Sequence, residues 1–277
     1  MRGNLPLFGV TFAFLDVETT GLSPYQGHRI CEVAVVRADL ETVEEVFASL
    51  VNPGRPISPG AAAVNGLSDE DVRDAPPFRM VSDRVLATVG DAVLVCHNAP
   101  FDLAFLSTEM ERAGRAFRPG EAVDTLAIAR RCYRFGSNGL ASVARALRVP
   151  TPNAHRALGD AMTTRHVLKR FAEDLAGRGV RTFEDLLGAQ GGGFVGLVPA
   201  DAGDPPLPPE LAEALETGKR VFLAYVEASG TRTERWVTPS EVTRFGRTSY
   251  LVGFCHLRDA ERHFRLDRIV TMKIERR

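Results

Sequence analysis

Apolar residues run almost unbroken through positions 10–17, and the run ends by placing acids at Asp16 and Glu18. Two more such runs follow at 29–38 and 42–51, the first of them rich in β-branched residues and bounded by Gly27 and Asp39. This pattern predicts three strands, and the short gaps between them predict antiparallel neighbours. "NPGRPISPG" then interrupts the pattern. The periodicity turns helical over 78–89, returns to a buried strand at 92–96, and predicts a helix from about Pro100 to Ala113. Pro100 suits a first helical turn, where its missing N–H costs nothing. Further helices are predicted at 125–131, 140–147 and 156–175. Strands first, then strands alternating with helices, predict a mixed α/β sheet with flanking helices.

The composition changes abruptly at 188–209, where 11 of 22 residues are Gly or Pro. Such a stretch predicts a linker. Three regions follow: a domain at 1–187, the linker at 188–209, and a second domain at 210–277. After a short helical piece at 210–217 the tail turns β-rich, in "RVFLAYVEA", "TERWVTP", "SYLVGFCHL" and "RHFRLDRIVTMKI". Several short strands with turn signals between them predict a small barrel.

Charge sharpens this division. The 277 residues carry a formal charge of −1, but from Gly218 onward 13 basic residues stand against 7 acidic ones. The preceding segment is correspondingly acidic. A basic tail on an acidic body predicts an anionic partner for the tail. The four cysteines, Cys31, Cys96, Cys132 and Cys255, form no CxxC pair. Their scatter argues against a zinc site and a disulfide framework, and fits a reducing cytoplasm. No apolar run is long enough to predict a membrane span.

Alternation along a strand turns Asp16 and Glu18 to one face while Leu15 and Val17 turn to the other. Two adjacent acids at the buried end of a strand repel each other and are costly to desolvate. A divalent cation between them is the simplest remedy, since hard cations take oxygen ligands. "HNAPFDLAFL" adds Asp102 in the first turn of a helix, and "HRALGDAMTT" adds His155 five residues before Asp160. A lone acid in a first turn ordinarily serves the helix dipole. Four acids and a histidine at the ends of hydrophobic elements instead suggest convergence on metal.

In order and spacing, "FLDVETTGL", "HNAPFD" and "HRALGD" resemble the three motifs of the DEDDh-type 3′–5′ exonucleases, a family that includes the proofreading subunit of bacterial replicative polymerase. "AVNGLSDEDV" and "VDTLAIAR" match secondary signatures of the same family, so the resemblance covers roughly residues 11–175. It implies an RNase H-like fold and a two-metal hydrolysis. Asp16, Glu18 and Asp160 would hold one Mg²⁺ or Mn²⁺, with Asp16 bridging to a second ion that Asp102 supports. His155 would take the proton of the attacking water. The backbone at Thr19 and Thr20 would meet the 3′ end and Leu22 would wedge against a base, with Asn98 and Phe101 on the substrate side. His28, His97 and His166 have no role in these motifs.

The segment 236–269 resembles the WYL domain, a small Sm-like β-barrel found mainly in bacterial regulators. Tyr250 and Leu251 match the name-giving triplet, whereas Ser249 stands where its tryptophan is expected. Such domains are implicated in binding nucleic acid or a small regulatory ligand. Arg235, Arg244, Arg247, Arg265 and Arg268 are dense for so small a module. A guanidinium suits phosphate because its planar fork donates two hydrogen bonds at once. The expectation is a metal-dependent 3′–5′ exonuclease acting on single-stranded ends, DNA favoured over RNA, with the tail holding substrate. The role expected is in repair or turnover rather than proofreading. The alternatives are an exoribonuclease, or a regulator whose tail senses a ligand or a protein while the nuclease fold is inactive.

Overall fold

The computed structural model describes residues 4–117, 120–152, 155–192, 208–227, 231–245 and 248–275. The chain divides into two compact units, with the boundary between positions 197 and 198.

The first unit is built on a five-stranded sheet. β1 (Phe12–Thr19), β2 (Ile30–Ala38) and β3 (Val43–Leu50) form an antiparallel meander, as their short connections require. Three helices follow: α1 (Pro59–Asn65), α2 (Asp69–Val72) and α3 (Phe78–Val89). They return the chain to β4 (Val93–Cys96), which pairs parallel with the other edge of β1. α4 (Ala99–Arg112) then crosses to β5 (Ala122–Asp124), parallel to β4, giving the order β3-β2-β1-β4-β5. α5 (Thr125–Cys132), α6 (Leu140–Leu147), α7 (Ala157–Ala176) and α8 (Phe183–Gln190) complete the unit.

Alternation along β1 decides what each sheet face meets. Phe12 and Phe14 join Val36 of β2 and Val167, Leu168 and Phe171 of α7 in one core. Ala13, Leu15 and Val17 join Val33, Val35, Val85 of α3 and Leu103 and Phe105 of α4 in the other. Each fully buried Phe or Leu contributes about 1.5–3 kcal/mol. Asp16 and Glu18 continue the parity of Phe12 and Phe14, so they turn toward α7.

The mixed α/β sheet expected from the pattern is present, and the predicted helices at 78–89 and 140–147 are found with those bounds. Three helices went unread: α1, α2 and α8, the last running to Gln190 inside the segment read as linker. β5 was also missed, because three residues are too short for alternation to register.

In the second unit α9 (Pro209–Thr217) precedes β6 (Val221–Val226), β7 (Arg232–Phe245), β8 (Thr248–Cys255), β9 (Ala260–Arg265) and β10 (Ile269–Ile274). All neighbours pair antiparallel, in the order β10-β6-β7-β8-β9. Leu211 and Ala214 of α9 pack on Val221, Leu223, Val237, Leu251 and Phe264. Among the described residues the β-rich tail forms a five-stranded antiparallel sheet with β9 and β10 at the ends of its order. "RHFRLDRIVTMKI", read as one run, is broken by a 3-10 turn at Leu266–Arg268 into strands at opposite edges. β7 tolerates Pro239 because its register slips between Pro239 and Glu241. Opposite Pro239, Gly253 has no room for a Cβ, which would overlap the Thr238 carbonyl.

Candidate active site

The end of β1 and the first turn of α7 bring three acids together. One carboxylate oxygen from each of Asp16, Glu18 and Asp160 lies within 4.8 Å of the other two. Asp102 approaches from the opposite side of the sheet: it is buried in the first turn of α4 and accepts the Val17 N–H at 3.2 Å. That bond ties α4 to β1 between the two strand acids.

Electrostatics disfavour ionisation of these acids beside one another. Burial, then the neighbouring charges of Asp102, Glu18 and Asp160, push the Asp16 carboxyl well above the usual carboxylate range. Burial also raises Asp102 and Asp160. Glu18 is pushed up to about 7 by burial and by repulsion from Asp160 and Glu32, against a smaller opposing pull from Arg156. Oxygen donors this close, each with its pKa pushed upward, form a donor set that fits a hard divalent cation.

The neighbourhood of α7 is fixed by a residue that motif reasoning passed over. Glu32 lies opposite Glu18 in the β1–β2 ladder and is 5% exposed. Its carboxylate accepts from Arg156 at 2.7 Å and from the Ala157 N–H at 3.1 Å, at the start of α7. An anion there also favours the helix dipole. Asp160 sits one turn further on, its N–H bonded to the Arg156 carbonyl. An acid buried in a run of β-branched residues, "ICEVAVV", was the available signal.

His155 is exposed, with a left-handed φ of 63°, and its backbone N–H donates to the Asp160 carboxylate. Asn98 is likewise left-handed, φ 85°, as the residue before α4. Asp124 holds that conformation by accepting the Asn98 N–H at 3.0 Å and the Leu126 N–H at 2.9 Å. Strain of this kind persists only where surrounding bonds enforce it. Phe101 is half-buried, its ring 5.0 Å from Phe105.

The loop after β1 is braced from within. The Thr20 N–H donates to the Arg29 carbonyl, and the Thr20 carbonyl accepts from the Ser58 N–H. The Thr20 hydroxyl accepts from the Arg29 N–H and pairs with His28 Nδ1 at 3.1 Å. The Thr19 carbonyl accepts from Asn65 of α1. A Cβ at Gly21 would overlap the His28 ring, so any larger residue there would have to displace that ring. Leu22 is half-buried beyond it. His28 and His97 thus acquire structural roles: His97 bonds Thr125 at 2.9 Å and the Asn138 carbonyl at 2.8 Å, and burial lowers its pKa.

The arginines singled out in the tail do not form one surface. Arg235 is 5% exposed, facing the core between the Tyr225 and Phe264 rings, with its guanidinium bonded to Glu227 and Thr233. The alternation of β7 turns it inward beside Val237. Arg265 is half-buried and paired with Asp267 at 2.7 Å, and Arg268 is also half-buried. Arg247 and the side chain of Arg244 lie outside the described residues.

Comparison with known proteins agrees with this geometry. The chain is 37% identical over 189 residues to the DNA polymerase III subunit epsilon-like protein of Rhodobacter capsulatus, covering 66% of this chain and 26% of that protein. It is 34% identical over 172 residues to the DNA polymerase III subunit epsilon of Rickettsia felis, covering 59% of this chain and 72% of that one. The chain therefore spans about a quarter of the first relative's length and most of the second's. Among solved structures, exonuclease X in complex with 5′ overhanging duplex DNA superimposes with a TM-score of 0.50 at 27% identity, over 65% of this chain and 99% of that one. Its likeness bears out the RNase H-like α/β fold of the first unit. Residues 207–274 match the WYL domain. Residues 13–168, more than half of the chain, match the RNase T-type exonuclease family, and the protein belongs to that family.

Proposed function

We propose that this protein is a metal-dependent 3′–5′ exonuclease that releases nucleoside monophosphates from single-stranded 3′ ends, with DNA as the favoured substrate. The observation that carries the reading is the convergence of Asp16, Glu18 and Asp160 with Asp102 buried behind them. Relatives and a structural neighbour whose names refer to DNA polymerase III and to DNA support DNA over RNA.

Asp16, Glu18, Asp160 and Asp102 are the residues that would hold two Mg²⁺ or Mn²⁺ ions. Ions bound there supply Lewis-acid neutralisation of the scissile phosphate and acidify the attacking water. The chain's own residues do the rest. His155 accepts the proton of that water on its imidazole, from an exposed position next to Asp160. Leu22 and Phe101, both half-buried, offer apolar contact to the terminal base, and the strained Asn98 offers a side-chain amide. At Thr20 both main-chain groups are engaged within the fold, so it positions the loop rather than the strand. Thr19 braces the loop through its carbonyl and through its hydroxyl, which bonds the Gly21 carbonyl, and its main-chain N–H is the group proposed to meet the 3′ end.

The basic second unit holds the polyanion as a tethered second contact, raising the effective concentration of the 3′ end. Closure into an Sm-like barrel is the finer form proposed for this unit. The cysteines among the described residues are all free, which fits a reducing cytoplasm. No helix among the described residues is long and apolar enough to cross a membrane. The complete set of acids argues against an inactive nuclease fold serving a ligand-sensing regulator. Digestion of end-labelled single-stranded and duplex DNA and RNA, with Mg²⁺, Mn²⁺ or EDTA, tests the reading. Failure to shorten any substrate with either metal overturns it.

A further inference from the structure

One face of the second unit's sheet is occupied by its core: Val221, Leu223, Val237, Leu251 and Phe264 pack under α9. Alternation sends the intervening residues to the opposite face, where an antiparallel sheet ordinarily carries polar side chains. Here that face carries aromatic rings. Phe222 of β6 lies opposite Trp236 of β7, their ring centroids 5.6 Å apart. The next strand continues the row, since the His256 N–H bonds the Trp236 carbonyl at 3.0 Å. Phe254 stands two residues before His256 on the same face, with the two rings 5.2 Å apart. Trp236 remains 38% exposed and Phe254 41%.

Cations are set among these rings. The Arg220 guanidinium lies 5.6 Å from the Trp236 ring centroid while also pairing with Glu275. Lys273 of β10, exposed, lies opposite Phe222. Arg232 lies near the other end of β6, paired with Glu234 at 3.6 Å. The core of a protein–protein patch is depleted of charge. Rings interleaved with cations on a segment with 13 basic and 7 acidic residues from Gly218 onward match a different partner. Unpaired bases offer π-faces to aromatic side chains, and the phosphates between them offer charge to Arg and Lys.

We infer that Phe222, Trp236 and Phe254, with Arg220 and Lys273, form a stacking platform for single-stranded nucleic acid on the outer face of the WYL unit. The inference rests on the exonuclease reading for its choice of occupant, and it names where that strand is held. The site differs from the one that arginine density suggested, because Arg235 lies on the core side of the sheet. It differs also from the Tyr250–Leu251 signature, of which Leu251 belongs to the core.

The test exploits the fact that Trp236 is the single tryptophan of the chain. The full-length protein in EDTA, where no hydrolysis occurs, is titrated with a fluorescein-labelled oligothymidylate of roughly 16 nucleotides, the upper end of a small module's site size. Binding is followed by anisotropy, and stacking by indole emission with unlabelled strand. The expected result is quenching that saturates together with the anisotropy. Phe222→Ala, Phe254→Ala and Trp236→Ala should each weaken affinity by about fivefold or more, whereas Trp236→Phe retains most of it. Lys273→Ala should reduce the salt slope by about one. Binding without quenching, unaffected by the alanine variants, means that the strand lies elsewhere and overturns the platform while leaving the nuclease reading intact. Absence of binding overturns it too, as does self-association of the protein that Trp236→Ala abolishes, which would make the face a contact between copies. If a variant fails to fold, the wild-type quenching alone decides. Quenching in a protein that digests no end-labelled substrate would sink the nuclease reading and keep the platform.

Discussion

Glu32 and Glu18 face each other across the β1–β2 ladder, yet their carboxylates have different partners. Glu18 joins the acid cluster, whereas Glu32 binds Arg156 and the first N–H of α7. The second arrangement positions the first: α7 carries Asp160, and the Glu32 bonds fix where that helix begins. Glu32→Ala should therefore lower turnover at least about tenfold and weaken metal affinity, with a stability loss of about 1–3 kcal/mol. Glu32→Gln, which can still accept from Ala157, should recover part of the metal affinity. Isothermal titration with Mn²⁺ and single-turnover digestion measure both. Wild-type metal affinity in Glu32→Ala would show that α7 is held without this contact.

The acid cluster makes stability depend on pH in an unusual direction. Glu18 is raised to about 7 by burial first, and Asp16, Asp102 and Asp160 are also raised. An acid whose folded pKa exceeds its unfolded one stabilises fully below the unfolded value and loses that contribution as pH rises through the folded value. For Glu18 the loss falls between its ordinary value of 4.5 and about 7. Metal-free protein should melt at lower temperature at about pH 8 than at about pH 5.5. Mg²⁺ or Mn²⁺, which bind the ionised acids, should reverse the slope. Asp16→Ala and Asp160→Ala should abolish hydrolysis and raise the metal-free melting temperature near pH 8 by relieving repulsion. Substantial turnover by Asp16→Ala would sink the two-metal assignment.

The origin of this cluster was largely legible in the chain. A period of two places Asp16 and Glu18 together, and the ordered motifs supply Asp102 and Asp160. Their meeting required only that α7 pack on the Phe12–Phe14 face, as it does. What went unread has physical reasons. α2 and α8 each begin with a capping box, Ser68 with Asp71 and Thr182 with Asp185, a signal that their short lengths and Gly- and Pro-containing surroundings obscured. Glu32, Asp124 and Gln190 act through contacts distant in sequence; Gln190, for instance, holds β5 through the Asp124 N–H. Arg235 misled because a count of basic residues ignores alternation, which puts it on the core face.

His155 should behave as a proton acceptor rather than as a metal ligand. His155→Ala is expected to lose about 10²–10⁴-fold in rate while retaining metal and substrate affinity. Its left-handed backbone would be strained further by a β-branched replacement, so alanine or asparagine is the better probe. A variant that cuts at the wild-type rate from about pH 6 to 9 would assign the proton to another group.

Arg235 should matter for the fold of the second unit. Its guanidinium lies 5.7 Å from the Tyr225 ring centroid and 5.4 Å from that of Phe264, while pairing with Glu227 at 3.1 Å. Arg235→Ala removes these contacts and should destabilise the unit by about 1–3 kcal/mol. Arg235→Met, which keeps apolar packing, should recover part of that loss. Melting followed by the emission of Trp236 reports on this unit alone. Unchanged melting with reduced oligonucleotide affinity would reassign Arg235 to the binding surface.

The division of labour between the units can be tested by removing the second. The chain before Gly218 carries a net negative charge and must receive a polyanion at an acidic cluster, whereas the net positive charge lies in the tail. Deleting the chain from Pro208 onward removes a compact unit with its own core and should leave the first unit folded. Cleavage of a very short oligonucleotide should be almost unchanged, because that substrate reaches only the metal centre. Degradation of a long single strand should weaken, most clearly at low substrate concentration, where a tethered second contact contributes most. Phosphate contacts release counterions, so the full chain's affinity should fall more steeply with salt than the truncated chain's. Arg265→Ala and Arg268→Ala should flatten that slope only if their guanidinium groups reach phosphate despite the ion pair of Arg265 with Asp267. Equal affinities and equal salt slopes for the full and truncated chains would exclude the tail as a nucleic-acid clamp. The WYL unit would then be the place to look for a small regulatory ligand or a protein.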